Sequence, residues 1–227
     1  MNFNLNIENL IDQTNESTKV IYIASPNNPT GTYLSRDQLV KLMKSISKNI
    51  IVVIDGAYVE YVQKDDYDKG FSLADEYENI ILTRTFSKTY GLAALRVGWC
   101  YTSQKIADII NKIKPPFNTT TISQSLAIKA LQDKDHIESS VKLNFEIKNW
   151  FEEELKLLNI KTRQTEGNFT LIETSEDEAE KISNHLMDDG IIIRRLNSYN
   201  LPNFLRISIG TKEEMTMTVE SLKKLNV

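Results

Sequence analysis

The chain contains little cysteine, little histidine and no long apolar run, and each shortage excludes a class of protein. Its one cysteine, Cys100, rules out an internal disulfide framework and fits a reducing cytoplasm. Its two histidines, His136 and His185, stand apart in polar helical contexts, so we expect no metal site. No apolar stretch approaches the length of a transmembrane helix, and the net charge of −4 indicates neither nucleic acid nor a membrane surface as a partner.

Three short apolar runs, at residues 20–24, 50–54 and 79–83, predict the strands of a buried parallel sheet. Residues 35–46 predict a helix between the first two strands, because Ser35 and Gln38 can form a capping box ahead of an apolar stripe. Strands that alternate with helices are typical of the α/β class. We therefore expect a mostly parallel sheet with helices on both faces and right-handed crossovers.

A fourth strand is predicted at residues 97–101, either parallel or antiparallel to the others, with Cys100 as a small core residue. The segment Pro115-Pro116-Phe117-Asn118 breaks the pattern and predicts a joint between two domains. We expect a cofactor-binding large domain at 1–118, and linking helices with a smaller α+β domain at 119–227. The second part has predicted helices at 122–132, 136–158, 175–190 (capped by Ser175 and Glu178) and 212–225, and predicted strands at 169–172, 191–194 and 205–209.

The most informative segment surrounds Lys88, in the run TFSKTYGLAALRVGW at residues 85–99. A lysine amine can condense with an aldehyde. The hydroxyls of Thr85 and Ser87, with the guanidinium of Arg96, suit a phosphate dianion. An aldehyde and a phosphate on one cofactor indicate pyridoxal 5'-phosphate (PLP). Taken alone, this run also fits a solvent-exposed loop, so the interpretation depends on two further segments.

Each of those two segments follows a predicted strand. SPNNPTG at 25–31 follows the first strand and places Asn28 in a turn. DGAY at 55–58 follows the second strand and supplies Asp55 and Tyr58. Ligands of open α/β sheets bind beyond the carboxyl ends of the strands, so we expect these three residues to converge with Lys88.

Each of these residues has a predicted role around the cofactor. Lys88 would hold it covalently and, once displaced by the substrate amine, would move a proton. Asp55 would pair with the pyridine nitrogen and keep it protonated. Tyr58 and Asn28 would donate hydrogen bonds to the phenolic oxygen. The alternatives are a turn residue at a strand end for Asp55 and a core aromatic for Tyr58.

Arg206 lies in the apolar run LRISIG at residues 205–210. An arginine in such a strand is costly unless it meets an anion, and its planar fork suits a carboxylate. We therefore assign Arg206 to the substrate α-carboxylate. The alternative is an arginine whose head reaches solvent.

With these motifs, the chain resembles the class I and II aminotransferases, which are fold-type I PLP enzymes, and within them the histidinol-phosphate branch. The motifs are SPNNPTG at 25–31, DGAYVEY at 55–61, TRTFSKTYGLAALRVGW at 83–99, PPFN at 115–118 and SYNLPNFLRISIGTKEE at 198–214. The resemblance implies the roles given above. It also implies reversible amino transfer between histidinol phosphate, as amino donor, and 2-oxoglutarate, as 2-oxo acid, in histidine biosynthesis by homodimers that share active sites.

The resemblance implies two departures as well. Gly56 stands where the family often has an acidic residue. The family also carries a long segment before the SPNNPTG strand, with a glycine-rich phosphate loop and an aromatic that stacks on the pyridine ring. We therefore expect a truncated form that binds PLP weakly and has little or no transaminase activity.

Three alternatives stay open at the level of sequence. Aromatic aminotransferases and threonine-phosphate decarboxylase resemble the histidinol-phosphate branch closely. A PLP-dependent decarboxylase would differ in which bond to the α-carbon is broken. A non-catalytic fragment is the third alternative, although Lys88, Asp55 and Arg206 are all in place.

Overall fold

The computed structural model describes residues 3–225, which divide into two compact units. The first unit comprises residues 3–27 and 32–138, and the second comprises residues 28–31 and 139–225. Within residues 3–225, no helix is both long and apolar enough to cross a membrane. The expected joint at 115–118 between a cofactor-binding domain and a C-terminal domain stays a prediction.

The first unit is built around a four-stranded sheet in the order β1-β2-β3-β4. Its elements are α1 (Ile7–Asp12), β1 (Val20–Ala24), α2 (Arg36–Ser45), β2 (Ile51–Asp55), α3 (Phe71–Glu76), β3 (Ile80–Thr85), β4 (Gly98–Thr102), α4 (Gln104–Ile113) and α5 (Thr121–Gln132). The first three strands are parallel and β4 runs antiparallel to β3. The predicted α/β class with a mostly parallel sheet is therefore confirmed.

The core of the first unit lies on one face of this sheet. Alternate strand residues point to it, such as Ile21 and Ile23 of β1, and helices α1, α2 and α3 cover it with their own apolar side chains. Helix α2 begins at the predicted capping box, in which the Ser35 hydroxyl accepts from the Gln38 amide and the Gln38 side chain accepts from the Ser35 amide. The helices thus fix which face of each strand is buried.

The prediction that Cys100 is a small core residue is wrong, because its side chain is exposed. Cys100 is the register partner of Thr83 across the β3–β4 pair, so the two side chains share one face of the sheet. That face is the one opposite the helical core, since the neighbouring Leu82 is fully buried in the core.

The second unit holds an antiparallel sheet in the order β5-β6-β8-β7. Its elements are β5 (Lys161–Arg163), β6 (Phe169–Glu173), α7 (Glu176–Asp188), β7 (Arg194–Leu196), β8 (Leu201–Ser208) and α8 (Lys212–Lys224). Helix α6 (Lys134–Leu157) begins in the first unit and continues in the second. Phe151 and Leu155 of α6 pack with α7, α8, β6 and β8 in one apolar core.

The capping box predicted for α7 is present, with Ser175 and Glu178 bonded reciprocally. The strand predicted at 191–194 is wrong, since β7 begins only at Arg194. The amide of Ile191 donates to the carbonyl of Leu186 at 2.7 Å, and Gly190 takes a positive φ of 80°. The backbone after α7 therefore closes the helix end before a strand can start.

Candidate functional site

Polar side chains collect on the face of the first sheet that the helices leave uncovered. Asp55 is the last residue of β2, and its register partner on β3 is Thr83. Tyr22 of β1 lies on the same face, and its hydroxyl donates to Asp55 Oδ2 at 2.9 Å. Because these strands are parallel, their carboxyl ends meet at one edge of the sheet, where ligands of α/β proteins bind.

Tyr58 and Lys88 lie close to each other in the loops that follow β2 and β3. Tyr58 is buried and precedes a 3₁₀ turn at Val59–Tyr61. Lys88 is exposed, and its Nζ lies 5.3 Å from the centroid of the Tyr58 ring. A cation over an aromatic face is attracted to it, so the ring holds the lysine amine at the sheet edge.

The loop between β3 and β4 brings together the three residues predicted to bind phosphate. Thr85 Oγ1 accepts from the amide of Ser87 at 3.0 Å. Arg96 Nη1 donates to Ser87 Oγ at 3.4 Å and to the carbonyl of Ala93 at 2.9 Å. Two hydroxyls and a guanidinium within one loop form a donor set suited to an anion.

Backbone bonds close this loop around Lys88. The carbonyl of Lys88 accepts from the amide of Gly91 at 2.9 Å, and the amide of Phe86 donates to Val97 at 3.2 Å. The side chains of Phe86 and Val97 are buried with Ala127 of α5 in a small separate core. The loop that contains Lys88 is thus stabilised by a small apolar core of its own.

Three further polar residues that the sequence analysis did not identify are buried or half-buried at this loop or next to it, namely Glu60, Arg84 and Thr89. Thr89, which directly follows Lys88, is 3% exposed and donates to Glu60 Oε2 at 3.4 Å. Burial raises the pKa of Glu60 above its ordinary value. A carboxyl group held in a partly desolvated position next to Thr89 is the kind of group that sequence patterns do not reveal.

Arg84 is a charged residue whose side chain is buried next to this loop. It is 6% exposed and donates to the carbonyls of Thr83 and Lys69. Its Cζ lies 5.6 Å from the ring centroid of Phe71 and 5.9 Å from that of Trp99, beside the stacked pair of rings. Burial lowers its pKa from the ordinary value. The carbonyls and rings compensate the buried charge.

The absence of a side chain at Gly56 leaves room for the guanidinium of Arg84. A Cβ on Gly56 would lie 2.3 Å from Arg84 Nη1 and 2.5 Å from Val59 Cγ1. A side chain at position 56 would therefore compete with the Arg84 guanidinium and with Val59 for this space.

The second unit contains the remaining two predicted residues, Asn28 and Arg206. Arg206 Nη1 donates to Asn28 Oδ1, and the guanidinium lies 5.4 Å from the Phe169 ring. Among the residues that the structure describes, Arg206 Nε is buried and has no hydrogen-bond partner. A buried donor without a partner is costly, so this guanidinium retains capacity for an anionic group.

The structure brings Tyr58 and Lys88 together, and separately Thr85, Ser87 and Arg96. These five residues and Asp55 belong to the first unit, and Asn28 with Arg206 belongs to the second. The roles assigned to them stay predictions. Sequence reasoning missed Tyr22, Glu60, Thr89 and Arg84. Tyr22 had a usable signal, since its period-two spacing from the apolar Ile21 and Ile23 places it on the face opposite the core.

The chain is similar to known proteins in sequence and in structure. The family model for aminotransferase class I and II matches residues 1–222. A histidinol-phosphate aminotransferase from Pelagibacter ubique (strain HTCC1062) is 40% identical over 227 residues, which are 99% of this chain and 63% of the relative. One from Rhodopseudomonas palustris (strain BisB18) is 37% identical over 97% of this chain and 61% of its own length. The chain therefore spans less than two thirds of these curated relatives.

Two solved structures of histidinol-phosphate aminotransferases are also similar to this chain. The histidinol-phosphate aminotransferase from Sinorhizobium meliloti, in complex with pyridoxal-5'-phosphate, superposes with a TM-score of 0.88 at 27% identity, covering 97% of this chain and 62% of that one. The enzyme from Clostridium acetobutylicum gives a TM-score of 0.90 at 23% identity, covering 98% and 68%. The second likeness concerns the fold alone.

Proposed function

Because this chain belongs to the aminotransferase class I and II family, we propose that it binds PLP and carries catalytic residues of an aminotransferase. The proposed amino donor is histidinol phosphate and the acceptor is 2-oxoglutarate, in histidine biosynthesis. The relatives that are 40% and 37% identical, both histidinol-phosphate aminotransferases, support this choice. The activity, the substrates and the partners are those proposed for the whole protein.

The residues of the first unit fit this cofactor by their chemistry. PLP carries an aldehyde, a phosphate dianion, a phenolic oxygen and a basic ring nitrogen. The uncovered face and its loops offer an amine, hydroxyls with a guanidinium, a phenol and a carboxylate. The observation that carries the proposal is the position of the Lys88 amine. It lies 5.3 Å from the ring centroid of Tyr58, and Tyr58 belongs to the loop that follows Asp55.

When bound, PLP supplies an aldehyde that joins to amines and a ring that accepts electrons from the substrate α-carbon. Lys88 would hold the cofactor and would move a proton between the α-carbon and the cofactor. Asp55 would pair with the ring nitrogen and favour its protonated form. Tyr58 and Asn28 would donate to the phenolic oxygen, and Thr85, Ser87 and Arg96 would hold the phosphate.

Arg206 is the proposed site for the α-carboxylate of the 2-oxo acid. Its unpartnered Nε, within the part of the chain that the structure describes, supports this assignment. A carboxylate would accept from the planar guanidinium in a bidentate manner and so satisfy the buried donor. Lysine at this position would offer only a point charge, without that geometry.

We also propose that the protein works as a homodimer in the cytoplasm. Ile109 and Ile113 of α4 are 50% and 75% exposed, and apolar surface of this kind is suited to a second subunit. The exposed thiol of Cys100 suits a reducing compartment.

Borohydride reduction of the chain with PLP, followed by peptide mass mapping, tests the proposed function. We expect the reduced cofactor on the peptide that contains Lys88. In Lys88→Ala, the corresponding peptide should carry no cofactor. The variant Lys105→Ala, which removes an exposed lysine of α4, is the control and keeps the label on Lys88. An unlabelled Lys88, or equal labelling of all exposed lysines, would contradict the proposal.

Amino transfer by the whole protein is the second readout, measured as glutamate formed from histidinol phosphate and 2-oxoglutarate. Removing a positioned proton-transfer group typically costs ~10²–10⁴-fold in rate, so Lys88→Ala loses at least that much. Release of carbon dioxide without glutamate formation would favour the decarboxylase alternative.

A further inference from the structure

Tyr22 has an unusual position for a large aromatic residue in a strand. Its neighbours Ile21 and Ile23 are 6% and 4% exposed and belong to the core, whereas Tyr22 is 64% exposed on the opposite face. The side chain therefore adds little to the packing of the first unit. Its phenol is directed along the sheet to the end of the neighbouring strand β2.

The register of the sheet explains this direction. The Cα partner of Tyr22 on β2 is Val53, and Asp55 is two residues further along on the same face. A diagonal neighbour at this offset is within reach of a long aromatic side chain. The hydroxyl accordingly lies 2.9 Å from Asp55 Oδ2, and it is the donor because an ionised carboxylate only accepts.

Electrostatic effects on Tyr22 agree with this contact. Partial burial is the largest cause that raises the pKa of Tyr22, and the hydrogen bond to Asp55 and its charge raise the pKa further, whereas a bond from Thr83 lowers it. Thr83 is the register partner of Asp55 on β3. The phenol, the carboxylate and the hydroxyl thus form one polar row across three strands.

The geometry points to Tyr22 as a positioning residue for Asp55, which binds one carboxylate oxygen and leaves the other for the ring nitrogen of the cofactor. This inference rests on the proposed function. The hydroxyl of Tyr22 occupies Oδ2, so Oδ1 would be the oxygen that faces a ring nitrogen. The phenol also restricts rotation of the Asp55 side chain, which lowers the entropy lost when the cofactor binds.

The test compares PLP dissociation constants of the chain and its variants by equilibrium dialysis. Tyr22→Phe retains the ring and removes the hydroxyl. Loss of this exposed hydrogen bond, which acts on PLP only through Asp55, should raise the constant roughly three- to tenfold, as for an ordinary hydrogen bond. In an Asp55→Ala background the same substitution should have no further effect, because its partner is gone.

Tyr101→Phe is the matched control. Tyr101 of β4 also donates to a carboxylate, Asp75 Oδ1 at 2.5 Å, and we expect its loss to leave the dissociation constant unchanged. A second measurement follows the phenol itself. In a chain labelled at tyrosine Cζ, nuclear magnetic resonance should show the pKa of Tyr22 falling toward its ordinary value in Asp55→Asn.

The outcomes separate the inference from the proposed function. Equal dissociation constants for the original chain and Tyr22→Phe, or an equal rise in the Asp55→Ala background, would overturn the role of Tyr22 alone. A chain that binds no PLP would overturn the proposed function and this inference with it. If the pKa of Tyr22 is the same in the original chain and in Asp55→Asn, the contact is absent in solution.

Discussion

Gly31 ends the SPNNPTG turn in a conformation that other residues rarely adopt. Its φ is +70°, and a Cβ at this position would lie 2.3 Å from Thr165 Cβ and 2.6 Å from Thr165 Cα, both within the second unit. The carbonyl of Gly31 also accepts from the amide of Glu166 at 2.8 Å. The close approach involves backbone atoms, so a rotation of side chains cannot relieve it.

We predict that Gly31→Ala destabilises the chain by more than about 3 kcal/mol, because backbone strain and a steric clash add. The matched control is Gly190→Ala. Gly190 also has a positive φ, +80°, but no atom lies within 4 Å of its added Cβ, so it loses only about 1–2 kcal/mol from strain. Urea denaturation measures both. Equal losses in the two variants would show that the Thr165 contact does not constrain Gly31.

The residues that the sequence could not supply are those whose partners are distant along the chain. Lys88, Asp55 and Tyr58 stand in local motifs next to strand ends, so their positions could be predicted. Arg84 and Glu60 stand in the motifs at 83–99 and 55–61 as well, but the motifs give them no role, because their environment depends on α3 and the loop around Thr89. A buried charge is recognised only when the groups that surround it are known.

At the scale of elements, the short strand β5 is joined to β6 by charge. Glu173 of β6 accepts from Arg163 Nη2 at 2.8 Å, and Lys161 Nζ lies 2.9 Å from Glu173 Oε2. The carboxylate side chain is 18% exposed. These donors, Arg163 first, lower the pKa of Glu173 from 4.5 to about 2. The strand pair is thus stabilised by the charged form of one residue.

We predict that this stabilisation depends on pH. The pKa is depressed in the folded state, so the contribution is complete above pH 4.5 and is lost as the pH falls toward 2. Glu173→Gln should cost about 1 kcal/mol at pH 6, since Lys161 is largely exposed and its contribution is screened, and almost nothing near pH 2. Urea denaturation at both pH values measures the difference. An equal cost at the two values would contradict the assignment.

A helix or strand can be predicted from the sequence when the residues that determine it are close together in the chain. The capping boxes of α2 and α7 were predicted correctly, because each is a reciprocal bond within four residues. The start of β7 was not, because the apolar residues 191–193 resemble a strand, whereas the amide of Ile191 closes the end of α7. Strand β5 was missed altogether, since its three residues carry no apolar pattern and form a strand only through β6.

At the scale of the whole molecule, buried side chains are unevenly distributed along the chain. One core joins α1, α2 and α3 to strands β1, β2 and β3, and another joins the end of α6 to α7, α8, β6 and β8. Between them, α4 has no buried residue and α5 has two, Ser123 and Ala127. In α6 the buried residues Phe151 and Leu155 belong to its final third. The stretch 104–150 is therefore held by few apolar contacts.

We predict that amide hydrogen exchange reflects this distribution. Amides of β2 and β6, each central in its sheet, should exchange at least ~10²-fold more slowly than those of α4, because local opening of an element with few buried contacts costs little free energy. Exchange measured by mass spectrometry on the chain at pH 7 checks this. Protection of α4 equal to that of β2 would contradict it, and would mean that the exposed Ile109 and Ile113 are covered in solution. The exposed apolar side of α4 is thus where the exchange map is most informative, because slow exchange there requires a covering surface that residues 3–225 of one chain do not supply.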